Sequence, residues 1–584
     1  MTYNELERGS VLVDLEKYKY PDNKSETLNC LNFKINKGEF IGVMGRTGSG
    51  KTTSLMLLNG LIPHFFEGEF NGSVIVNTMN TQRYRVQTLA RFVGLVMQDP
   101  ETQIFGITVE KDVAFGPSNL NYGKEKIEEL IKKSLESVGL KGFEKRITTE
   151  LSGGEKQRLA IAGVLAMEPE IIVLDEPTSE LDPTGRIEIY QLLSEIRTKE
   201  NVTVIISGHD SEEMLTFLDR IIVLDNGKIA WQGNPQILFK DVALTDKFGI
   251  KPIETAEISS ALVENNIIDH EKIFSNIDKF FQFISHNFNN ISKNSEVQKT
   301  STEKILNKKV IEINDLSFGY RKGETALNNI NLRFFKGEFV ALIGKNGAGK
   351  TTFSKLLNGL LRPSSGQVLI NGRDIKSVST SELSREIGYV FQNPDHQIFS
   401  ASVKEEIEYG LKNMNLPADV IKERVTRVLE FVELKNYENR HPFTLGKGER
   451  QKLAVASILA MEPSILVIDE PTTGQDWDGT KRMMTMMQEL NKKGHTILAI
   501  THNLRLAAEY ADRIVVFSGG NVVLDGTPEE VFSQREILES ASITPPDSVI
   551  LGEQLKKIGF NKHLLTVEEI KKQLIENLSS LNAN

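Results

Sequence analysis

Residues 40–44 and 339–343 are short apolar runs, and each leads through a glycine-rich stretch into helically spaced apolar residues at 53–60 and 352–359. An apolar run of that length bounded by glycine reads as a buried strand, so both places predict strand, loop and helix in succession. Two further runs, 171–174 and 465–468, end in paired acids and predict buried parallel strands. An apolar pattern over 159–167 predicts another helix, opened by a serine and two glycines.

The order of these runs occurs twice. Lys51 and Lys350 are 299 positions apart and Gln98 and Gln392 are 294 apart, so the first half holds five extra residues. They fall in Leu61-Ile62-Pro63-His64-Phe65-Phe66-Glu67-Gly68. After each repeat comes a weaker echo, a turn and then an apolar-periodic helix, at 248–266 and 541–560. Residues 287–309, rich in Asn, Ser, Lys and Thr, read as a linker or as an ordered surface loop. The expected organisation is a first domain over 1–240, its C-terminal extension and the linker over 241–307, a second domain over 308–534 and its extension over 535–584.

Composition narrows the class. The 584 residues exceed what one core can organise. No apolar run approaches the about 18 residues needed to cross a bilayer, and the N-terminal stretch lacks a signal-peptide core. A single cysteine, Cys30, excludes an internal disulfide framework and an iron–sulfur site. The net charge of −10 gives no general attraction to nucleic acid. A cytoplasmic chain is expected.

The chemistry lies in the turns. Gly45-Arg46-Thr47-Gly48-Ser49-Gly50-Lys51-Thr52-Thr53 and Gly344-Lys345-Asn346-Gly347-Ala348-Gly349-Lys350-Thr351-Thr352 both carry the phosphate-loop spacing between strand and helix. Their glycines let backbone N–H groups turn towards phosphates at a helix N-terminus. Lys51 and Lys350 are expected at the β- and γ-phosphates of ATP, and Thr52 and Thr351 at Mg²⁺. In Asp175-Glu176 and Asp469-Glu470 the first acid is positioned for Mg²⁺ and the second as general base for the attacking water.

Leu151-Ser152-Gly153-Gly154-Glu155-Lys156-Gln157-Arg158 resembles the signature sequence of ABC ATPases. The resemblance covers both halves almost end to end. It implies an α/β fold of two tandem P-loop ATPase domains, each with a RecA-like core, an antiparallel β subdomain and a helical signature subdomain, plus small C-terminal extensions. It implies that Tyr20 and Tyr320 stack on adenine, that Gln98 and Gln392 link the metal site to a transporter contact, and that Asp182 and Asp476 follow the catalytic strands. It makes His209 and His502 the switch histidines that sense the γ-phosphate. In this family two domains pair head to tail, so each ATP lies between one phosphate loop and the other domain's signature.

The second signature departs from the pattern, with Gly446 in place of the hydroxyl, Lys447 in place of a glycine, and then Gly448. Gln475 stands where an apolar residue is usual. Composite sites would put both departures at the site of Lys51, Glu176 and His209, leaving the site of Lys350, Glu470 and His502 the intact Ser152-Gly153-Gly154. The expectation is that the latter carries most of the turnover; the alternative is that Lys447 supplies by charge what the lost hydroxyl supplied by hydrogen bond.

Gln98-Asp99-Pro100-Glu101-Thr102-Gln103-Ile104-Phe105 and Gln392-Asn393-Pro394-Asp395-His396-Gln397-Ile398-Phe399 resemble the energy-coupling-factor (ECF) ATPases. That likeness implies uptake of a vitamin, a vitamin precursor or a metal ion. It also implies a transmembrane coupling subunit, a membrane substrate-binding subunit and a peripheral place at the cytoplasmic face of the membrane. The competing expectation makes Phe105 and Phe399 plain core aromatics. A tandem sugar-importer ATPase fits less well because both phosphate loops are intact. A ribosome-acting ABC protein fits less well because the linker is Asn/Ser-rich and the chain acidic.

Overall fold

The structure is a computed structural model that describes residues 7–21, 25–287, 308–321, 323–560 and 564–582, the side chains of 579–582 excepted. It divides into two units, Met1–Ile253 and Glu254–Asn584.

In the first unit a four-stranded antiparallel sheet runs in the order Leu28–Ile35, Val11–Lys19, Glu69–Val76, Met79–Asn80. Burial alternates along Val11–Lys19, as expected of a sheet with one face on a core. That core joins Val11, Leu15, Leu28 and Val74 to Leu55 of the helix Lys51–Leu58 and to Ile41 and Ile205 of a second layer. The second layer is a six-stranded sheet in the order Lys228–Gly233, Arg220–Asp225, Phe40–Gly45, Thr203–Ser207, Ile171–Leu174, Val93–Val96. Its strands are parallel except for the edge strand Lys228–Gly233, which pairs antiparallel with Arg220–Asp225. Every residue of Ile171–Leu174 is buried, which explains the unbroken apolar run. Helices Val109–Asn119, Lys124–Ser137 and Gly153–Leu165 pack together as a separate helical layer.

The second unit repeats this plan. Its antiparallel sheet is Leu327–Phe335, Lys309–Phe318, Ser365–Ile370, Arg373–Asp374. Its six-stranded sheet is Ile387–Val390, Ile465–Asp469, Thr496–Ile500, Phe339–Ile343, Arg513–Ser518, Asn521–Gly526. The α/β class and the two-domain repeat are as the sequence predicts.

The boundary between the repeats falls differently. Helices Pro235–Lys240 and Val242–Lys247 lie in the first unit, whereas Glu254–Glu264 and Ile277–Asn287 belong to the second. There they pack with Asp547–Lys557 and Val567–Asn582 around Ile258, Leu262, Phe280, Leu551 and Leu574. Neither two-helix echo has enough apolar surface to form a core alone, so the two complete each other. Most of the expected linker, 288–307, lies outside the described residues. Among the described residues no helix is long and apolar enough to cross a membrane.

Phe280 is fully buried in this four-helix core. Phe280→Ala is expected to cost about 3–5 kcal/mol locally, seen as faster amide hydrogen exchange over Asp547–Lys557 while the two sheets stay protected.

Candidate functional site

The parallel strands bring the phosphate loop, the acid pair and the histidine to one sheet edge. In the first unit Val43 pairs with Ser207, and Leu174 with Ile206, so three strand ends lie side by side. In the second, Leu342 and Asp469 both pair with Ile500. Ligands bind at such carboxyl ends.

Gly45 and Gly344 have φ of 138° and 150°, and a Cβ there would lie 2.1 Å from Leu224 O and 2.4 Å from Phe517 O. Only glycine fits that approach. The loops of Gly48-Gly50 and Gly347-Gly349 then open helices Lys51–Leu58 and Lys350–Leu357. Lys51 Nζ curls back to donate to Gly45 O at 3.0 Å and lies 3.7 Å from Glu176 Oε1. Lys350 Nζ donates to Gly344 O at 2.6 Å.

Asp175 and Asp469 are buried, and burial pushes both carboxyls above the usual range. At Asp175 hydrogen bonds from Ser207 and Thr52 oppose the shift. At Asp469 those from Tyr389 and Thr351 do the same. Each pair, Thr52 with Asp175 and Thr351 with Asp469, offers the hard oxygen donors that suit Mg²⁺. Ser207 Oγ donates to Asp175 Oδ1 at 2.6 Å, and Tyr389 Oη to Asp469 Oδ2 at 3.0 Å. Sequence reading missed both partners. Tyr389 was detectable as the one hydroxyl in the buried strand Ile387–Val390. Ser207 ends its strand two residues before His209.

Glu176 and Glu470 have φ of 44° and 48°, a left-handed conformation of roughly 1–3 kcal/mol cost for a non-glycine residue. It turns each glutamate out of the strand towards the histidine. His209 Nε2 lies 3.5 Å from Glu176 Oε1, and His502 Nε2 lies 3.2 Å from Glu470 Oε1. Gln98 Nε2 donates to Glu176 Oε2 at 2.9 Å, so its amide meets the general-base candidate. Gln392 joins Tyr320, Lys350, Thr351, Glu470 and His502 around a cavity of about 270 Å³.

The two tyrosines sit over the phosphate-loop helices. Tyr20 Oη lies 3.3 Å from Thr53 Oγ1, and Tyr320 Oη 2.9 Å from Thr352 Oγ1. The five-residue insertion places Phe66 edge-on to Tyr20, at 6.4 Å between ring centroids. Tyr320, with no such insertion beside it, is 59% exposed.

The signature segments start helices. Ser152 caps Gly153–Leu165 by a reciprocal pair of hydrogen bonds with Glu155. Gly446 opens Lys447–Leu459 with no side chain to offer, and Gly446–Gly448 do not line the Lys350 cavity. A Cβ on Gly474 would lie 2.8 Å from Lys447 Nζ, so the unusual lysine rests on the loop that carries Gln475. Asp182 and Asp476 cap the helices Pro183–Glu200 and Trp477–Lys492.

Beyond Gln98, the Gln103 side chain accepts from Met97 N and donates to Leu95 O. Gln397 holds the matching loop through Phe391 N and Ala454 O. Asp112 and Glu406 each accept two backbone N–H groups at the following turn. Phe105 and Phe399 are therefore held outward, 70% and 63% exposed, and are not core side chains. Each packs on a second exposed ring: Phe115 at 5.7 Å and Tyr409 at 4.7 Å.

The family profile described as ABC transporter matches residues 28–179 and 327–473. A candidate ABC transporter ATP-binding protein of Methanosarcina acetivorans is 42% identical over 98% of this chain and 95% of its own. One of Caldanaerobacter subterraneus is 39% identical over 97% of this chain and 99% of its own. The solved structure of cbiO1 from Clostridium perfringens, part of the ABC transporter complex cbiONQ, is 35% identical. It covers 42% of this chain and all of its own, with a TM-score of 0.38.

Removing one donor from a ligand carboxylate typically costs 10- to 100-fold in metal affinity. Ser207→Ala and Tyr389→Phe should each weaken Mg²⁺-dependent binding of a fluorescent ATP analogue at their own site by about tenfold. Binding without Mg²⁺ should change far less.

Proposed function

The chain belongs to the ABC transporter family as a tandem ATP-binding protein and ATP hydrolase, and from that premise we propose that it powers an ECF-type importer. The observation that carries the reading is the pair of outward aromatic clusters, Phe105 with Phe115 and Phe399 with Tyr409. Both follow a glutamine at an ATP site and stand on loops braced by Gln103 and Gln397. Exposed rings on rigid loops suit helices of a membrane partner. The partners are a transmembrane coupling subunit and a membrane substrate-binding subunit, at the cytoplasmic face. The cargo is a vitamin, a vitamin precursor or a metal ion.

Two composite ATP sites do the work. One joins Lys51, Thr52, Asp175, Glu176 and His209 to Gly446-Lys447-Gly448; the other joins Lys350, Thr351, Asp469, Glu470 and His502 to Ser152-Gly153-Gly154. The lysines neutralise phosphate charge, the glutamates draw the proton from the attacking water, and Asp182 and Asp476 serve the paired surfaces. Thr52 with Asp175, and Thr351 with Asp469, would hold Mg²⁺, which would supply positive charge against the phosphates. The second site is the more active. At the first, Gly446 lacks the hydroxyl, and Lys447 is engaged on its own module's Gly474.

Losing a general base typically costs 100-fold or more. Glu470→Gln should lower the chain's ATP turnover about 100-fold and Glu176→Gln less than about tenfold, measured as phosphate release. Equal losses would remove the asymmetry. Phe105→Ala with Phe399→Ala should abolish co-purification with membrane subunits while turnover of the isolated chain stays within about twofold. Co-purification with ribosomes instead would overturn the transport reading.

A further inference from the structure

The helix Leu504–Tyr510 begins just after His502, and its second residue, Arg505, is charged yet only 7% exposed. Its guanidinium reaches Glu257 Oε2 and Glu509 Oε1 at 2.9 Å each, with Glu254 Oε1 at 4.0 Å. It also lies 5.0 Å over the ring of Trp477, the first residue of the helix that Asp476 caps. Lys571 Nζ meets Glu257 from the C-terminal helix at 3.0 Å, and Glu254 Oε2 accepts from Ser548 N at 2.6 Å. One cation thus ties together the start of the switch helix, the start of the Asp476 helix and the helix Glu254–Glu264.

A charge this buried is costly unless its partners hold it, and loosening one partner leaves the others uncompensated. Removing one partner is therefore expected to loosen the whole network. The His502 loop is the element it fixes. His502 N donates to Glu470 Oε2 at 3.3 Å, and Asn503 Oδ1 caps the same helix by accepting from Leu506 N.

The first unit carries the opposite charge at the matching position, in a more exposed pair. Glu212 stands three residues after His209, as Arg505 stands three after His502. Glu212 pairs with Lys251 at 2.7 Å, and Ser211 Oγ donates to Lys251 O. Lys251 and the Arg505 partners Glu254 and Glu257 all fall within seven consecutive residues of sequence.

We infer that Arg505 is a positioning residue of the second ATP site: clamped by Glu254 and Glu257, it holds the His502 loop and the Asp476 helix in register for hydrolysis. Within the first unit, Lys251 stands in the matching role towards Glu212. The inference rests on His502 acting as the γ-phosphate contact.

The test uses the full chain carrying Trp231→Phe, which leaves Trp477 as the single tryptophan, since the sequence has two. Trp231 lies on the edge strand Lys228–Gly233 and is none of the residues named in the first unit's cluster. In this parent, MgATP should change Trp477 emission. Arg505→Met should remove that response and lower kcat about fivefold or more, with KM for MgATP within about twofold. Arg505→Lys should restore both towards the parent, and Glu257→Gln, which keeps size and shape, should reproduce the kcat loss. Thermal melting identifies an unfolded variant; if Arg505→Met fails to fold, Glu257→Gln decides alone.

A kcat within about twofold of the parent in folded Arg505→Met, or in folded Glu257→Gln, would overturn the inference. So would a loss confined to KM. His502→Ala separates the two levels. If it turns over normally, the switch assignment falls and the clamp with it. If it is inactive while Arg505→Met is normal, only the clamp falls.

Discussion

Each ATP cluster depends on the parallel register of three strands whose carboxyl ends stop at the same level. Val43 beside Ser207 and Leu174 beside Ile206 fix that level in the first unit, and Ile500 between Leu342 and Asp469 fixes it in the second. A slip of one residue would send each end residue to the opposite face of the sheet. From this alignment the rest follows. The loop after one strand must turn at Gly45 or Gly344 without touching its neighbour's carbonyl. The glutamate after another must leave the strand in a left-handed turn. The histidine after the third then has Glu176 or Glu470 within reach.

On this shared backbone the two units have diverged in the side chains that support the chemistry. The buried first acid of each pair is steadied by a serine from one neighbouring strand in the first unit and by a tyrosine from the other in the second. Each donor occupies a place where the other unit has an apolar residue: Ile500 matches Ser207, and Leu95 matches Tyr389. A buried carboxylate needs a partner, but the fold leaves open which strand supplies it. The signature helices show the same freedom, one opened by a capping serine and the other by bare glycine with a lysine beside it.

The sequence made legible whatever is local. Phosphate loops, acid pairs and the signature are contiguous strings whose spacing is set by one turn of chain, so candidates for the site could be picked without coordinates. Contacts across strands were not legible. Ser207 is 32 residues from Asp175 and Tyr389 is 80 from Asp469, and nothing in either string names its partner. The helices at 254–264 and 277–287 were equally opaque in one respect. Their apolar spacing says that a face is buried, but not that the burying partner lies at the far end of the chain. The exposure of Phe105 and Phe399 was a matter for structure too, since an aromatic in a string looks the same inside or out.

That four-helix core has a consequence for how the protein is made. Helix Glu254–Glu264 leaves the ribosome almost three hundred residues before Asp547–Lys557, which supplies the other half of its core. At ordinary elongation rates this gap lasts roughly 15 to 60 s. For that time the apolar faces around Ile258, Leu262 and Phe280 lack the partners that bury them in the finished protein. A nascent chain in this condition is a natural client for holdase chaperones, and slow codons in the second half would lengthen its risk of aggregation. Thus the fusion of two ATPases into one polypeptide fixes their ratio at one to one, and its cost falls on synthesis.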